Sequence, residues 1–140
     1  MQLHDLVTHI TQLETYSKGA ALRSGRVPEP NYFYLATPYS KYKGGLEEAY
    51  QEAAYQASRL IKVKLRVFCP IAHTHPIAIA GGMDPLDHTI WLPADEPLMK
   101  NAFGLIVAQM PGWDESYGIG EEIKYFESVH KPIFYWDCSL

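Results

Sequence analysis

The segment Leu105-Ile106-Val107-Ala108-Gln109-Met110-Pro111-Gly112-Trp113-Asp114-Glu115-Ser116-Tyr117-Gly118-Ile119-Gly120-Glu121-Glu122-Ile123 decides the fold. Its first four residues form an uninterrupted apolar run, the pattern of a strand buried on both faces. Glu121 to Val129 reads as a helix, and the small residues between act as a loop. A strand, a small-residue loop and a helix start together offer free backbone N–H groups to an anion. Gly118 and Gly120 permit a tight turn and let a ligand approach the main chain. Glu121 and Glu122 are expected in the first helical turn, where the helix dipole favours an ionised carboxylate.

Outward from this segment the chain alternates strand and helix. Asn31 to Ala36 is the first strand, with Pro30 marking its start. Leu46 to Ile61 carries Leu46, Ala49, Tyr50, Ala53, Ala57, Leu60 and Ile61 on one helical face. Leu65 to Cys69 is the second strand, stopped by Pro70, and the pair forms a βαβ unit. Gly104 to Met110 is the third strand, and Pro132 to Trp136 the last. Ile71 to Pro97 holds so many Gly, Pro, Asp and His residues that it reads as a long connection with short helical pieces at most. Loops of that length are usually functional. Asp95 to Phe103 reads as a short helix. Residues 3 to 17 carry Leu3, Leu6, Val7, Ile10 and Leu13 in one helical stripe, joined to the first strand by a polar linker, Lys18 to Pro30. The expected organisation is residues 1–30 as N-terminal helix and linker, and 31–140 as an α/β domain. That domain is a small doubly wound sandwich of Rossmann or flavodoxin type with a mostly parallel sheet. In such sheets ligands bind at the carboxyl ends of the strands, so the loops after Ala36, Cys69 and Met110 share one edge.

Composition narrows the function classes. The 140 residues suit one domain with a real core, and the formal net charge is -4. No basic stretch suggests a nucleic-acid polymer as partner, whereas a single nucleotide needs only a local phosphate site. Cys69 and Cys138 are far apart and not in a metal spacing, so a reducing cytoplasm is expected. The N-terminal residues lack the pattern of a signal peptide, and no apolar stretch approaches a membrane span.

Several side chains on the shared edge could carry chemistry. Glu122 could act as a nucleophile at a sugar carbon or as a base; it is equally an exposed helix-start carboxylate. Glu121, one residue away, points in a different direction. Asp95 is either an N-cap or the second carboxylate of a pair, able to donate a proton to a leaving group. Tyr34 is either core or a hydroxyl that orients the nucleophile. Ser116 and Gly118 could bind phosphate through hydroxyl and amide donors, or form a plain capped turn. On an extended segment His73 and His75 would share a face, but a third metal ligand at suitable spacing is lacking. No metal and no organic cofactor are therefore expected. A metal-dependent hydrolase using His73, His75 and Asp84 stands as a rival, as does a nucleotide-binding module without chemistry.

At these residues the sequence resembles the nucleoside 2-deoxyribosyltransferase superfamily, including its nucleoside 5′-monophosphate N-glycoside hydrolase branch, and looks closest to a small bacterial and phage branch of that group. Three segments carry the likeness: Tyr34-Leu35-Ala36-Thr37-Pro38-Tyr39-Ser40, Cys69 to Pro76 with Trp91 to Asp95, and Gly112 to Ile123. The third is the most specific, because Ser-x-Gly-x-x-x-Glu follows an apolar strand. The resemblance implies Glu122 as nucleophile, Tyr34 as the residue that holds it, and Asp95 as the acid at the base. It implies Ser116 as a phosphate contact; Gly118, Gly120, Thr37, Tyr39 and Trp91 are further candidate substrate contacts, and His73 and His75 either contact the ligand or structure the loop. Ser116 stands where free-nucleoside transferases carry Asp, which implies a 5′-monophosphate substrate. A homo-oligomer, dimer or tetramer, whose neighbouring subunit completes the pocket is implied as well. The chain departs from this pattern at Ala102-Phe103-Gly104, where relatives often carry an Asp, and in the segment between Ile71 and Pro93.

Overall fold

The computed structural model describes residues 1–29 and 31–139. The reading of Pro30 as the start of the first strand lies outside the described residues. Nine elements and one 3₁₀ turn follow in chain order: α1 (Leu3–Arg23), β1 (Phe33–Ala36), α2 (Leu46–Lys62), β2 (Val67–Phe68), α3 (Pro70–Gly81), α4 (His88–Lys100), β3 (Gly104–Ala108), the 3₁₀ turn (Trp113–Glu115), α5 (Tyr117–Ser128) and β4 (Ile133–Trp136). The four strands are all parallel and ordered β2-β1-β3-β4. This is the expected doubly wound α/β architecture.

The strand periodicity explains the layers. In β1, Phe33 and Leu35 join Ile106, Ala108 and Trp136 on one face, where Leu6 and Ile10 of α1 and Ala53, Ala57 and Leu60 of α2 cover them. Tyr34 and Ala36 join Leu105 and Val107 on the other, against Ile119 and Phe126 of α5 with Met99 of α4 packed alongside. β1 and β3 are buried along their whole length, as a sheet covered on both faces requires. Helix α1 therefore belongs to the same core as the residues after it, with Leu6 and Ile10 fully buried. It also runs on to Arg23, past the expected end near Ser17, because Ala20, Ala21 and Leu22 are strong helix formers and Ala21 is buried. At the start of β3, a side chain on Gly104 would place Cβ 2.6 Å from the Pro132 carbonyl oxygen and 2.7 Å from the Phe33 ring. That close approach accounts for the glycine.

The segment from Ile71 to Pro97 is where the expectation fails. It is almost wholly helical, built from α3 and α4 with a short turn between. The turn-forming residues act as helix punctuation. Pro70 occupies the first turn of α3, where its missing N–H costs nothing. Gly82 ends α3 in the left-handed region at φ 63°. The Asp87 side chain caps α4 by accepting from the Thr89 amide at 3.0 Å. Pro76, Pro93 and Pro97 lie inside helices and each removes one backbone donor. Asp95 is consequently in the middle of α4 and is not an N-cap.

Strand β1 is central, and the chain leaves it for β2 through α2 and returns to β3, on its other side, through α3 and α4. The carboxyl ends of β1 and β3 thus flank a topological switch point, the usual ligand crevice of such sheets.

Candidate active site

A cleft of about 480 Å³ opens at that switch point, within the size range of small-molecule pockets. Residues of β1 and its following loop, α3, α4 and the start of α5 line it. Of the residues singled out in the sequence, Tyr34, Thr37, Tyr39, Trp91, Asp95, Ser116, Gly118 and Glu122 line the cleft. His73, His75 and Gly120 are not among its lining residues.

Helix α5 starts earlier than the sequence suggests. Ser116 is its N-cap, accepting from the Ile119 amide at 3.3 Å, and Tyr117 opens the first turn. Glu121 and Glu122 therefore fall in the second turn, where the pull of the helix dipole has weakened. Gly118 and Gly120 are helical, and the Gly120 amide donates to the Ser116 carbonyl at 3.0 Å. That amide is spent inside the helix and cannot bind a ligand. Gly118 keeps its importance for another reason. A Cβ built on it would meet nothing nearer than the Ser116 Oγ at 4.0 Å, so the helix face it presents to the cleft is open space.

Glu121 stays at the rim, exposed and paired with Lys124 at 3.3 Å. Glu122 is half-buried, with access through the cleft, and protein surrounds it closely enough to change its chemistry. Burial, followed by the charge of Asp95, pushes its carboxyl up to about 8. Asp95 is half-buried on the facing helix. Burial pushes it up to about 6, while His73 opposes that rise. Its Oδ1 atom is buried and has no hydrogen-bond partner among the described residues. The repulsion belongs to the pair, because ionising either carboxyl makes the other harder to ionise. Around neutral pH the two hold roughly one proton between them.

Tyr34 is 2% exposed, with its ring between Phe68 and Phe126. Burial, then the charges of Glu122 and Asp95, hold its phenol well above the ordinary range. It remains a protonated donor beside two carboxyls. Trp91 also lines the cleft, its indole donating to the Asp84 carbonyl at 2.8 Å.

The two histidines separate because they sit on a helix rather than an extended segment. Two residues along α3 correspond to about 200° of rotation. His73 is exposed, its ring 5.5 Å from Phe68. His75 is 3% exposed and fully engaged by protein: its Nδ1 faces the Tyr39 hydroxyl at 2.5 Å, and its Nε2 faces a Glu47 carboxylate oxygen at 2.8 Å. It also stacks on Tyr50 at 4.7 Å. Asp84 accepts from the Leu86 amide. The His73, His75 and Asp84 grouping is therefore dispersed, and no described His, Cys, Asp and Glu side chains gather into a metal-binding group.

Sequence reasoning missed Glu47 and Tyr50. Neither spacing nor motif links Glu47 to His75, which is 28 residues away. A usable signal existed, since the first turn of α2 follows the β1 loop and must lie near the same sheet edge.

The family described as "Domain of unknown function (DUF1937)" matches residues 31–138, and the chain belongs to that family. The match begins after α1. No curated protein matches the chain. No described helix is long and apolar enough to cross a membrane.

Proposed function

We propose that this member of the DUF1937 family cleaves the N-glycosidic bond of a (deoxy)nucleoside 5′-monophosphate, by hydrolysis or by transfer to a second base. The observation that carries this reading is the Glu122–Asp95 pair in one cleft, two carboxyls of different affinity for a shared proton. Paired carboxyls in unlike environments suit glycosidic chemistry. In the free protein the shared proton lies mainly on Glu122, the carboxyl with the higher affinity for it; the reacting form is the one that carries the proton on Asp95. In that form ionised Glu122 attacks the anomeric carbon through an oxocarbenium-like transition state. The C–N bond breaks as Asp95 gives its proton to the departing base. Water then attacks the glycosyl-enzyme, its proton returns to Asp95, and Glu122 leaves as carboxylate. The Tyr34 phenol, kept protonated, supports the charged form of Glu122. The 5′-phosphate rests on the Ser116 hydroxyl and the first amides of α5.

One observation favours a second reading, an unphosphorylated nucleoside. The described residues lining the cleft include Asp95, Glu96, Glu121 and Glu122 but no Lys or Arg. Phosphate would depend on the α5 terminus, on the His88 imidazole that also lines the cleft, or on a cation from a neighbouring subunit. Leu92 and Tyr117, exposed at the rim, suit such a neighbour in a homo-oligomer. The deciding experiment incubates the protein with nucleosides and 5′-monophosphates of all common bases and measures free base by chromatography. Release from one class, lost in Glu122→Ala, is expected. Tight binding with no release from any member would make the protein a nucleotide-binding module instead.

A further inference from the structure

Tyr39, His75 and Glu47 form a hydrogen-bonded chain that runs from the cleft wall to the surface, and the glycosidic chemistry uses none of them. His75 is almost completely buried, and both its ring nitrogens are taken. A carboxylate can only accept, so the Glu47 contact places a proton on His75 Nε2. In the neutral ring, Nδ1 is then left with its lone pair and must accept. With the ring neutral, the Tyr39 O–H is the one available donor there, and it is committed to His75. The edge of Tyr39 against His75, with ring centroids 5.7 Å apart, and the Tyr50 ring stacked on the imidazole hold this arrangement in place.

A phenol whose proton is committed has only lone pairs to offer anything else. Tyr39 lines the cleft alongside Ser40 and Thr74, and the Thr74 hydroxyl is itself committed to the Pro70 carbonyl at 2.9 Å. From this geometry we infer that Tyr39 is a specificity-determining residue whose oxygen accepts a hydrogen bond from a donor group of the ligand, a sugar hydroxyl or an exocyclic base amine, with His75 and Glu47 as positioning residues that fix its polarity. Such an acceptor disfavours a phosphate dianion, which carries no proton to give. The 5′-phosphate and the Tyr39 side of the cleft are thereby kept apart. The inference rests on the cleft being a nucleoside or nucleotide site.

The test is a cycle between protein and ligand, measured as binding by calorimetry in a Glu122→Gln background so that turnover plays no part. The probes are the ribonucleosides of the common bases, their 2′-deoxy and 3′-deoxy analogues, and the analogues lacking the exocyclic amine, each with and without 5′-phosphate. With Tyr39 present, removing the recognised donor should weaken binding roughly 3- to 10-fold, the ordinary worth of one neutral hydrogen bond. With Tyr39→Phe the same removal should change nothing. The analogue that shows the coupling tells a sugar hydroxyl from a base amine. Glu47→Gln, which still accepts from Nε2, should keep the coupling, and Glu47→Leu should reduce it; a merely structural role for Glu47 would not separate these two. Binding in which every deletion has the same effect with Tyr39 and with Tyr39→Phe overturns the inference and leaves the glycosidase reading standing. Binding of none of the probes overturns both.

Discussion

Asp95 on α4 lies close enough to Glu122 on α5 that its charge adds to burial in pushing the Glu122 carboxyl up to about 8. The two residues are brought together by the crossing of the chain from β2 to β3, since α4 must run back over the face of the sheet that α5 covers. Most of what can be tested about this protein follows from that pair.

The first expectation concerns pH and rate. Below about 6 both carboxyls are protonated and Glu122 cannot attack; above about 8 both are ionised and no proton is available for the leaving base. A bell-shaped profile of kcat/KM with limbs near these values should result, the limbs belonging to the pair. Asp95→Asn should lower the rate roughly 10²- to 10⁴-fold, the usual scale for losing a general acid. It should also abolish the alkaline limb and leave a single limb set by Glu122 alone, lying below about 8 because the neighbouring charge is gone. An alkaline limb that survives in Asp95→Asn would assign the acid to another group.

The same burial should appear in stability. Glu122 has its folded-state value raised above the ordinary 4.5, so between about 4.5 and about 8 the folded protein binds more protons than the unfolded chain. Its contribution is then fully present below about 4.5 and lost as pH rises through about 8. At about 1.4 kcal/mol per tenfold change in proton affinity, the loss is on the order of a few kcal/mol. Urea midpoints measured from pH 5 to pH 9 should fall less steeply in Glu122→Gln than in the wild type. The same variant should lose turnover by roughly 10³-fold or more, as a missing nucleophile does. Equal slopes in the two proteins would mean that Glu122 is well solvated.

These properties were only partly legible in the sequence. The apolar runs at Phe33–Ala36 and Gly104–Ala108 mark strands buried on both faces, and the helical stripes of α1 and α2 are plain, so the parallel sandwich could be read directly. The α3–α4 region could not. Its Pro, Gly and Asp residues carry the same local signal in a loop and at helix ends, and only packing against the sheet distinguishes them. That ambiguity misplaced Asp95 at a cap and set the two histidines on one face. Ser116 shows the converse: a serine ahead of two glycines reads as a turn, yet Ile119, fully buried in the core, draws the helix start forward to meet it.

Ser116 serves both as cap and as phosphate contact, and substitutions can separate the two. Ser116→Ala removes the cap and should cost about 0.5–2 kcal/mol of stability. Ser116→Asp restores a good cap but sets a negative charge where the phosphate would lie. If the substrate is a 5′-monophosphate, Ser116→Asp should fold as well as the wild type and raise KM for the nucleotide while leaving the parent nucleoside unaffected. Steady-state kinetics on the matched pair checks this. An unchanged preference for the nucleotide would place the phosphate elsewhere.

Gly118 should trade stability against binding. It lies in the first turn of α5, and a Cβ there meets only the Ser116 Oγ at 4.0 Å, so Gly118→Ala introduces no clash within the protein. Alanine removes backbone freedom from the unfolded chain and should stabilise the helix by up to roughly 1 kcal/mol. The added methyl, however, projects into the space that a ligand needs to reach the first amides of α5. Thermal unfolding should therefore move upward by a few degrees, while the affinity for substrate or for a non-cleaved analogue falls. Gly120→Ala is the control: its amide is spent on the Ser116 carbonyl and its added Cβ also meets nothing, so it should stabilise in the same way without the loss of affinity. Equal effects of the two substitutions on binding would show that the ligand does not approach the helix start at Gly118.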